Sequence, residues 1–209
     1  MFDYIRSPEE IYRKSFSLVR AETDFSGLSK SEEVVAVRLI HACGQTSIIK
    51  DLLFSKSAVD IGHQAIMNGA CVIVDAEMVS IGIIRESLKK DNEIVCTLNN
   101  DGVRQAARDM GTTRSAAAVD MWLDKLGGSV VVIGNAPTAL FRLLEKLEDG
   151  APVPALICGF AVGFVGAAES KEALIKYAKK RDIPFITLRG RLGGSAIASA
   201  AVNALASEI

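Results

Sequence analysis

The stretch Val130-Val131-Val132-Ile133, followed at once by Gly134-Asn135-Ala136-Pro137-Thr138, decides the fold class. Its first part is an uninterrupted β-branched run without polar alternation, which is typical of a strand buried on both faces of a parallel sheet. The glycine-containing second part predicts a tight loop. Apolar residues then recur at helical spacing, at Leu140, Leu143, Leu144 and Leu147. The segment therefore predicts a strand, a loop and a helix in direct succession.

The same pattern extends in both directions along the chain. Further short apolar runs with few polar interruptions lie at Cys71–Val74, Glu93–Cys96, Ala155–Cys158 and Phe185–Leu188. Helical patterns lie between them, for example at Ala173, Leu174, Tyr177 and Ala178. The fold class predicted is α/β: a mostly parallel sheet of about five strands sandwiched by helices. We expect a single domain over residues 1–209, with a helical N-terminal segment, residues 1–50, packing on it.

Two helices are predicted in that N-terminal segment. Ser7-Pro8-Glu9-Glu10 offers a cap, a proline at the first helical position and an acid at the third. A second helix is predicted from about Ser31 to Cys43, with Gly44 ending it. One face of the first helix is a predicted apolar stripe that includes a hydroxyl, at Ile11, Ser15, Leu18 and Val19.

Composition excludes several classes of protein. Apolar residues make up 49% and charged residues 23% of 209 residues, which argues against disorder. The net charge of −1 provides no general basic field for nucleic acid or an anionic membrane. The N-terminus lacks a signal peptide's apolar core, and no 18-residue apolar run predicts a membrane span. Cys43, Cys71, Cys96 and Cys158 are scattered and predicted to be buried small hydrophobic residues, so we expect a reduced, cytoplasmic protein.

Glycine-containing loops follow three of the predicted strands, at Gly134–Thr138, Gly159–Gly166 and Arg189–Ser195. Ser170 is predicted to cap the helix after the second loop. Ligands of open parallel sheets bind outside the carboxyl ends of the strands, where glycines and helix N-termini present free N–H groups. One alternative is that these glycines only make tight turns. Three such loops at one edge, one of them carrying Arg189 and Arg191, favour a large anionic ligand.

Nucleotide and metal-site motifs are missing from the sequence. It contains neither a P-loop nor a GxGxxG fingerprint after its first strand. It also contains no HExxH, no serine elbow and no Cys/His metal cluster. The sequence therefore predicts neither a nucleotide site nor a metal site.

Arg38 and His41 lie three residues apart on the second predicted helix and therefore share a face. Their neighbours are apolar, so both are expected to be partly buried, and a buried guanidinium needs an anion. The anion could equally be a carboxylate elsewhere in the chain, with His41 capping the helix end. The helix dipole favours imidazolium by roughly 0.3–1 kcal/mol. Arg38 opposes it, which leaves the charge of His41 open. His63, after Gly62, is predicted to be a loop or cap residue.

Several blocks of the sequence resemble the precorrin-8X methylmutase family. They come in that family's order and extend over nearly the whole chain, at residues 38–44, 75–79, 111–118, 133–140, 163–171 and 189–195. The resemblance implies an isomerase of cobalamin biosynthesis that moves a methyl group from C-11 to C-12 of precorrin-8X or cobalt-precorrin-8. The products would be hydrogenobyrinic and cobyrinic acid, respectively. The resemblance also implies that no dissociable cofactor is used and that any cobalt belongs to the substrate.

The resemblance also assigns residues and partners. His41 corresponds to the family's proton donor or acceptor, and Ser15 and Arg38 correspond to substrate-binding positions. Arg114 and Ser115 are also carried over as substrate-binding positions. The glycine-containing loops add the remaining expected substrate-binding residues, which are Gly163, Arg189, Arg191, Gly193 and Gly194. The expected partners are a corrinoid tetrapyrrole and a second copy of the chain. The implied assembly is a homo-oligomer, with a dimer favoured and the active site near the subunit interface.

Two other functions are alternatives to the isomerase. A non-catalytic corrinoid carrier would bind the product without needing His41. An unrelated α/β enzyme acting on a nucleotide or sugar phosphate is disfavoured by the missing phosphate-loop motifs.

Overall fold

The computed structural model describes residues 2–207 and contains one six-stranded sheet. In chain order the strands are β1 (Leu52–Phe54), β2 (Val72–Val74), β3 (Ile94–Val95), β4 (Val130–Ile133), β5 (Leu156–Gly159) and β6 (Phe185–Leu188). Their order across the sheet is β1-β6-β5-β4-β2-β3. All neighbouring strands are parallel except β1 and β6, which are antiparallel.

Ten α-helices accompany the strands in the described part of the chain. They are α1 (Pro8–Glu22), α2 (Lys30–Cys43), α3 (Ala58–Met67), α4 (Glu77–Gly82), α5 (Val103–Asp109), α6 (Arg114–Val119), α7 (Leu123–Leu126), α8 (Pro137–Glu148), α9 (Ala167–Arg181) and α10 (Ser195–Leu205). The predicted α/β class with a mostly parallel sheet is confirmed.

The five predicted strands are present, and β4 and β6 have the predicted bounds. The sixth strand, β1, was not predicted. It has only three residues and pairs at the edge of the sheet, where Leu52 lies opposite Leu188. Three residues are too few to show an alternating pattern. The strand forms because it pairs with β6, which is distant in the sequence.

Alternate residues of each strand face two separate cores. Val130 and Val132 pack on one side with residues of α2, α3 and α10. Val131 and Ile133 pack on the other side with residues of α8 and α9. The sheet is therefore the middle layer of three, and both of its faces are covered, as the unbroken apolar runs predicted.

The second core contains the chain's single tryptophan, Trp122, which is 1% exposed. Its indole N–H donates to Thr97 Oγ1 at 2.9 Å, and Thr97 Oγ1 donates to the Ala118 carbonyl at 2.8 Å. The polar end of the tryptophan is thus satisfied inside an apolar layer.

The predicted start of α1 and the predicted end of α2 at Gly44 are confirmed, whereas the N-cap of α2 at Ser29 was not predicted. The Ser7 side chain accepts from Glu10 N, and Pro8 is the first residue of α1. Helix α2 begins with a capping box between Ser29 and Glu32 and ends at Gly44, whose φ of 67° is left-handed.

The apolar stripe predicted on α1 is only partly buried. Val19 is 8% exposed, whereas Ile11 and Leu18 are 44% and 50% exposed. Helix α1 packs mainly against α2, and the exposed part of its apolar face has no covering layer within residues 2–207.

Three expectations about single residues or residue types are wrong. His63 lies inside α3, where Nδ1 is 2.8 Å from the Leu205 carbonyl oxygen, and is not a loop residue. Ser170 lies in the second turn of α9 and donates to the Ala167 carbonyl, while Gly166 occupies the N-cap. Among the cysteines, all of them free thiols, only Cys158 is fully buried.

Within residues 2–207, no helix is both long enough and apolar enough to cross a membrane.

Candidate active site

The three glycine-containing loops meet at the carboxyl edge of the sheet. The Phe160 N–H donates to the Ile133 carbonyl at 2.7 Å, which joins the ends of β4 and β5. The Gly194 N–H donates to the Phe160 carbonyl at 2.8 Å, and the Gly163 N–H donates to the Arg191 carbonyl at 3.2 Å. The predicted meeting of the loops at one edge is therefore found.

Gly193 makes the closest approach between these loops. A Cβ atom on it would lie 2.2 Å from the Phe160 carbonyl oxygen and 2.7 Å from the Ala161 carbonyl oxygen. No side chain fits in that gap, so the glycine is required for the loop to close against its neighbour.

Asp75 fixes the first loop from the end of β2. Its carboxylate accepts from the backbone N–H groups of Gly134 at 2.8 Å, Asn135 at 3.0 Å and Ala136 at 2.7 Å. Burial raises the pKa of Asp75, and these three donors oppose the rise by stabilising the charged form. The carboxylate thus spans two neighbouring parallel strands at the edge where the cavity lies.

Two consecutive residues of α9 hold the last loop. The buried Lys171 ammonium donates to the Leu192 carbonyl, and Glu172 pairs with Arg189 at 3.1 Å. Burial lowers the pKa of Lys171 to about 8, although the charge of Asp51 opposes the change. The loop that leads into α10 is therefore anchored from the opposite face of the sheet.

An open cavity of about 670 Å³ lies beside α10. Its walls come from four helices that are distant in the sequence: α1, α2, α4 and α10. The lining residues are Tyr12, Arg38, His41, Ala42, Met78, Ile81, Gly82, Ile84, Ser195, Ala196, Ser199, Ala200 and Asn203.

His41 lies at the wall of this cavity with its imidazole held from α1. Its Nδ1 is 2.7 Å from Ser15 Oγ. Its ring centroid is 5.3 Å from that of Tyr12 and 5.3 Å from that of Phe16. One turn of α1 thus supplies a hydrogen bond and two ring contacts, because residues three and four apart share a helix face.

The electrostatic surroundings of His41 favour the neutral ring. Burial lowers the pKa of His41 from 6.5, and the charge of Arg38 lowers it further. Near neutral pH the free protein therefore holds His41 as imidazole. The effect of Arg38 has the sign expected from the sequence, and burial acts in the same direction.

Arg38 is half-buried and lines the same cavity. In the described range 2–207 it has no ion-pair partner, whereas Arg142 pairs with Asp120 at 2.8 Å and Arg189 pairs with Glu172. A half-buried guanidinium with this freedom suits an anionic group of a ligand. The alternative of a structural partner for Arg38 thus finds no support within those residues.

Ser15 contacts His41 but does not itself line this cavity, and neither do the other predicted substrate-binding residues. Arg114, the exposed first residue of α6, donates to Asn99 Oδ1 at 3.4 Å, and Ser115 follows it. Arg191 lies over the ring of the exposed Phe164 at 5.2 Å. The remainder, Gly163, Arg189, Gly193 and Gly194, belong to the joined loops.

Several cavity residues were not predicted from the sequence, although two signals were available. Tyr12 lies one turn before Ser15 on α1, on the same face. Ser195, Ser199 and Asn203 recur at spacings of four along an alanine-rich helix, a polar stripe that marks one face. The apolar wall at Met78 and Ile81 on α4, and at Ile84 just after it, had no such signal, because exposed apolar side chains cannot be told from core residues in sequence.

The fold and this site together define an α/β protein equipped for acid–base chemistry on an anionic ligand. It brings one neutral histidine and one unpaired arginine to an open cavity beside the carboxyl edge of its sheet. Among residues 2–207, no three His, Cys, Asp or Glu side chains are grouped so that they could hold a metal ion.

Comparison with known proteins identifies the family. Residues 10–208 match the family model described as Precorrin-8X methylmutase. A Precorrin-8X methylmutase of Pseudomonas aeruginosa is 54% identical over 208 residues, covering 100% of this chain and 99% of the relative. A Cobalt-precorrin-8 methylmutase of Priestia megaterium is 34% identical over 199 residues, covering 95% and 87%. The crystal structure of a precorrin-8X methylmutase from Thermus thermophilus superimposes with a TM-score of 0.85 at 39% identity, covering 95% of this chain and 94% of the other.

The chain therefore belongs to the precorrin-8X methylmutase family. It is an enzyme, an isomerase of cobalamin biosynthesis.

Proposed function

We propose that this chain moves a methyl group from C-11 to C-12 of precorrin-8X to give hydrogenobyrinic acid. Family membership and the names of the relatives support this substrate. The observation that carries the proposal is the placement of His41, which is bound to Ser15 at 2.7 Å beside an open cavity of about 670 Å³. Cavities of this size are typical of sites for sizeable small molecules.

The reaction makes and breaks bonds within one molecule, so it needs no co-reactant. The protein's part is to hold the macrocycle in a reactive conformation and to move a proton. In this proposal His41 takes up a proton from solvent when the substrate binds and gives it to a ring nitrogen or a neighbouring carbon, so that the rearranged isomer is favoured. The rearranged ring then returns a proton to the imidazole, so the net reaction is an isomerisation. General acid catalysis of this kind typically contributes about 10²–10⁴-fold.

Arg38 connects substrate binding to the charge of His41. A substrate carboxylate on Arg38 would neutralise the guanidinium charge, which is one of the two causes that lower the pKa of His41. Binding of the polyanionic substrate then raises the pKa of His41 towards the working pH. The neutral resting ring becomes a proton donor once the substrate is bound.

We propose metal-free precorrin-8X, rather than its cobalt complex, as the preferred substrate. Two relatives named for precorrin-8X are 54% and 50% identical to this chain, whereas relatives named for cobalt-precorrin-8 include ones that are 34% and 36% identical. Turnover measured in parallel with both forms tests this choice. A higher kcat/KM for the cobalt form would contradict it.

We also propose that the enzyme uses no dissociable cofactor and works in the cytoplasm. An internal rearrangement balances without an oxidant, a reductant or a methyl donor. Cobalt, when present, enters as part of the substrate. The four free thiols suit a reducing compartment. Full activity after dialysis against a chelator is the expected outcome, and loss restored by an added metal would contradict the cofactor proposal.

We propose a homo-oligomer, with a dimer favoured and the active site near the subunit interface. The cavity rim carries Met78 and Ile81, which are 64% and 81% exposed in the single chain. Adjacent apolar groups so exposed are typical of an interaction surface. Arg114 and Ser115 lie outside the cavity of their own chain, so in this proposal they reach substrate bound by the partner copy.

Turnover of precorrin-8X by the purified protein tests the proposed function. The visible spectrum should change catalytically, because conjugation differs between substrate and product. His41→Ala should abolish turnover while retaining product binding. His63→Ala is the matched control, since His63 does not line the cavity, and it should retain turnover.

Two outcomes would contradict this proposal. Stoichiometric binding without turnover by the folded wild-type protein would favour the carrier alternative. Full activity of His41→Ala would remove His41 from the reaction.

A further inference from the structure

Three rings contact one another at the edge of the cavity. Tyr12 and Phe16, one turn apart on α1, have centroids 5.9 Å apart at an interplanar angle of 73°. The imidazole of His41 lies 5.3 Å from each of them, tilted by 40° to Tyr12 and by 83° to Phe16. We call Tyr12 and Phe16 the aromatic seat of His41.

Such contacts act differently on the two charge states of an imidazole. Aromatic rings carry a negative face, so they attract a nearby cation more strongly than a neutral group. Burial by the same rings acts in the opposite direction, because removal of water disfavours the charged form. The net effect of the seat is therefore given by the direction in which the pKa of His41 changes when one of the rings is removed.

Few other charges act on this imidazole. On α2, Arg38 opposes its protonation. The walls supplied by α4 and α10 are uncharged, since they consist of apolar residues, serines and Asn203. Tyr12 and Arg38 are the only other cavity-lining residues within the described range that ionise. Once a substrate carboxylate covers Arg38, the seat acts on the charge of the imidazole together with burial, the C-terminal end of α2 and the Ser15 hydrogen bond.

We propose that Tyr12 and Phe16 are positioning residues whose rings stabilise the protonated form of His41 during the reaction. The inference deepens the proposed function, since it rests on His41 handling a proton. It assigns to α1 a role beyond the Ser15 hydrogen bond: the same turn orients the imidazole and favours its cationic state. Tyr12 and Phe16 act through His41 and are not themselves catalytic residues.

The test is the pKa of His41, measured by NMR on the imidazole protons of the full-length protein. The chain has only two histidines, so His63→Ala assigns the signals and His63 then serves as an internal control. Tyr12→Leu and Phe16→Leu should each lower the pKa of His41 by about half a unit. Tyr12→Phe keeps the ring and should leave the pKa unchanged.

The direction of the pKa change distinguishes stabilisation of the imidazolium by the two rings from simple burial. Leucine is smaller than either ring and admits more water, so a purely covering role predicts a higher pKa in both leucine variants. An unchanged or raised pKa in both would overturn the proposal. A His63 signal at its wild-type position in each variant shows that the fold persists.

Turnover provides an independent readout. The limb of the pH–rate profile governed by His41 should move with the NMR value in the leucine variants and stay in place in Tyr12→Phe. If the pKa of His41 falls in the leucine variants but the wild-type protein turns over no corrinoid, the effect of the two rings is supported and the proposed function is contradicted. If the wild-type protein turns over precorrin-8X but the pKa of His41 does not fall in the leucine variants, the proposed function is supported and the role given to the two rings is contradicted.

Discussion

Lys171 has its side chain buried between α9 and the loop that precedes α10, with an ammonium that donates to the Leu192 carbonyl. Burial lowers its pKa from 10.5 to about 8. Between these values the unfolded chain binds a proton that the folded chain does not, so folding is increasingly favoured as the pH rises from 8 to 10.5. Below pH 8 the full penalty of the buried charge applies.

Lys171→Met removes this pH dependence. Relative to the variant, the wild-type protein should gain at most about 3 kcal/mol in free energy of unfolding between pH 8 and 10.5. Urea denaturation followed by Trp122 fluorescence measures the difference. Lys176→Met, at an exposed position of the same helix, should keep the wild-type dependence. Parallel pH curves for the wild type and Lys171→Met would show that the amine is not destabilised by burial.

His41 shows how far single residues can be interpreted from sequence. Its pairing with Arg38 on one face follows from a three-residue spacing alone. Its contact with Ser15 required knowledge of how α1 packs on α2, since the two residues are 26 positions apart. Local spacing predicted the neighbour on the same helix, whereas tertiary packing determined the partner of the imidazole.

At the scale of elements, the glycines at the carboxyl edge are needed for different reasons, one for its backbone conformation and another for lack of space. Gly190 has a φ of 75° with open space around it, so a side chain there strains only the backbone. Gly193 lacks that constraint but has the Phe160 carbonyl oxygen 2.2 Å from the place where a Cβ atom would be.

The Gly193→Ala variant should lose about 3 kcal/mol of unfolding free energy, because the loop must move away from its neighbour. Gly190→Ala, the matched control, should lose about 1 kcal/mol. Chemical denaturation measures both. Equal losses would show that the Gly193 loop can shift without disturbing its hydrogen bonds.

Strong local signals predicted most elements. The β-branched runs predicted β2 to β6, and caps predicted α1 and α2, because each signal lies within the element itself. The same reasoning missed β1 and misplaced His63 and Ser170. Ser170 lies inside α9 because the helix begins earlier than predicted. Its N-cap is Gly166, which has a left-handed φ of 78°. Such a start has no side-chain signature.

At the scale of the whole molecule, the cavity could not be predicted, because α1, α2, α4 and α10 meet only after folding. The sequence indicated a ligand at the joined loops of the sheet edge, and the cavity lies where the last of those loops enters α10. The four helices leave an apolar rim that a single chain does not cover.

Ile81→Glu tests whether a second copy covers this rim. Ile81 is 81% exposed, so the change should leave the folded chain intact and weaken self-association through burial of a charge. Sedimentation equilibrium should show an oligomer for the wild type and a shift towards monomer for the variant. Val153→Glu, on the loop before β5 and 55% exposed, should assemble like the wild type. A wild-type monomer, or an Ile81→Glu oligomer of unchanged strength, would contradict the proposed interface.

The burial of Trp122 gives the protein an optical property of its own. The indole is enclosed in the core on the far side of the sheet from the cavity, so its emission is shielded from water and from quenchers in solution. A conjugated macrocycle in the cavity would absorb in the range of that emission within the same small domain. Resonance energy transfer would then lower the fluorescence intensity of Trp122 without any contact between the indole and the macrocycle. Loading of the site could therefore be followed in real time on the unlabelled protein, with the tetrapyrrole itself as the acceptor dye.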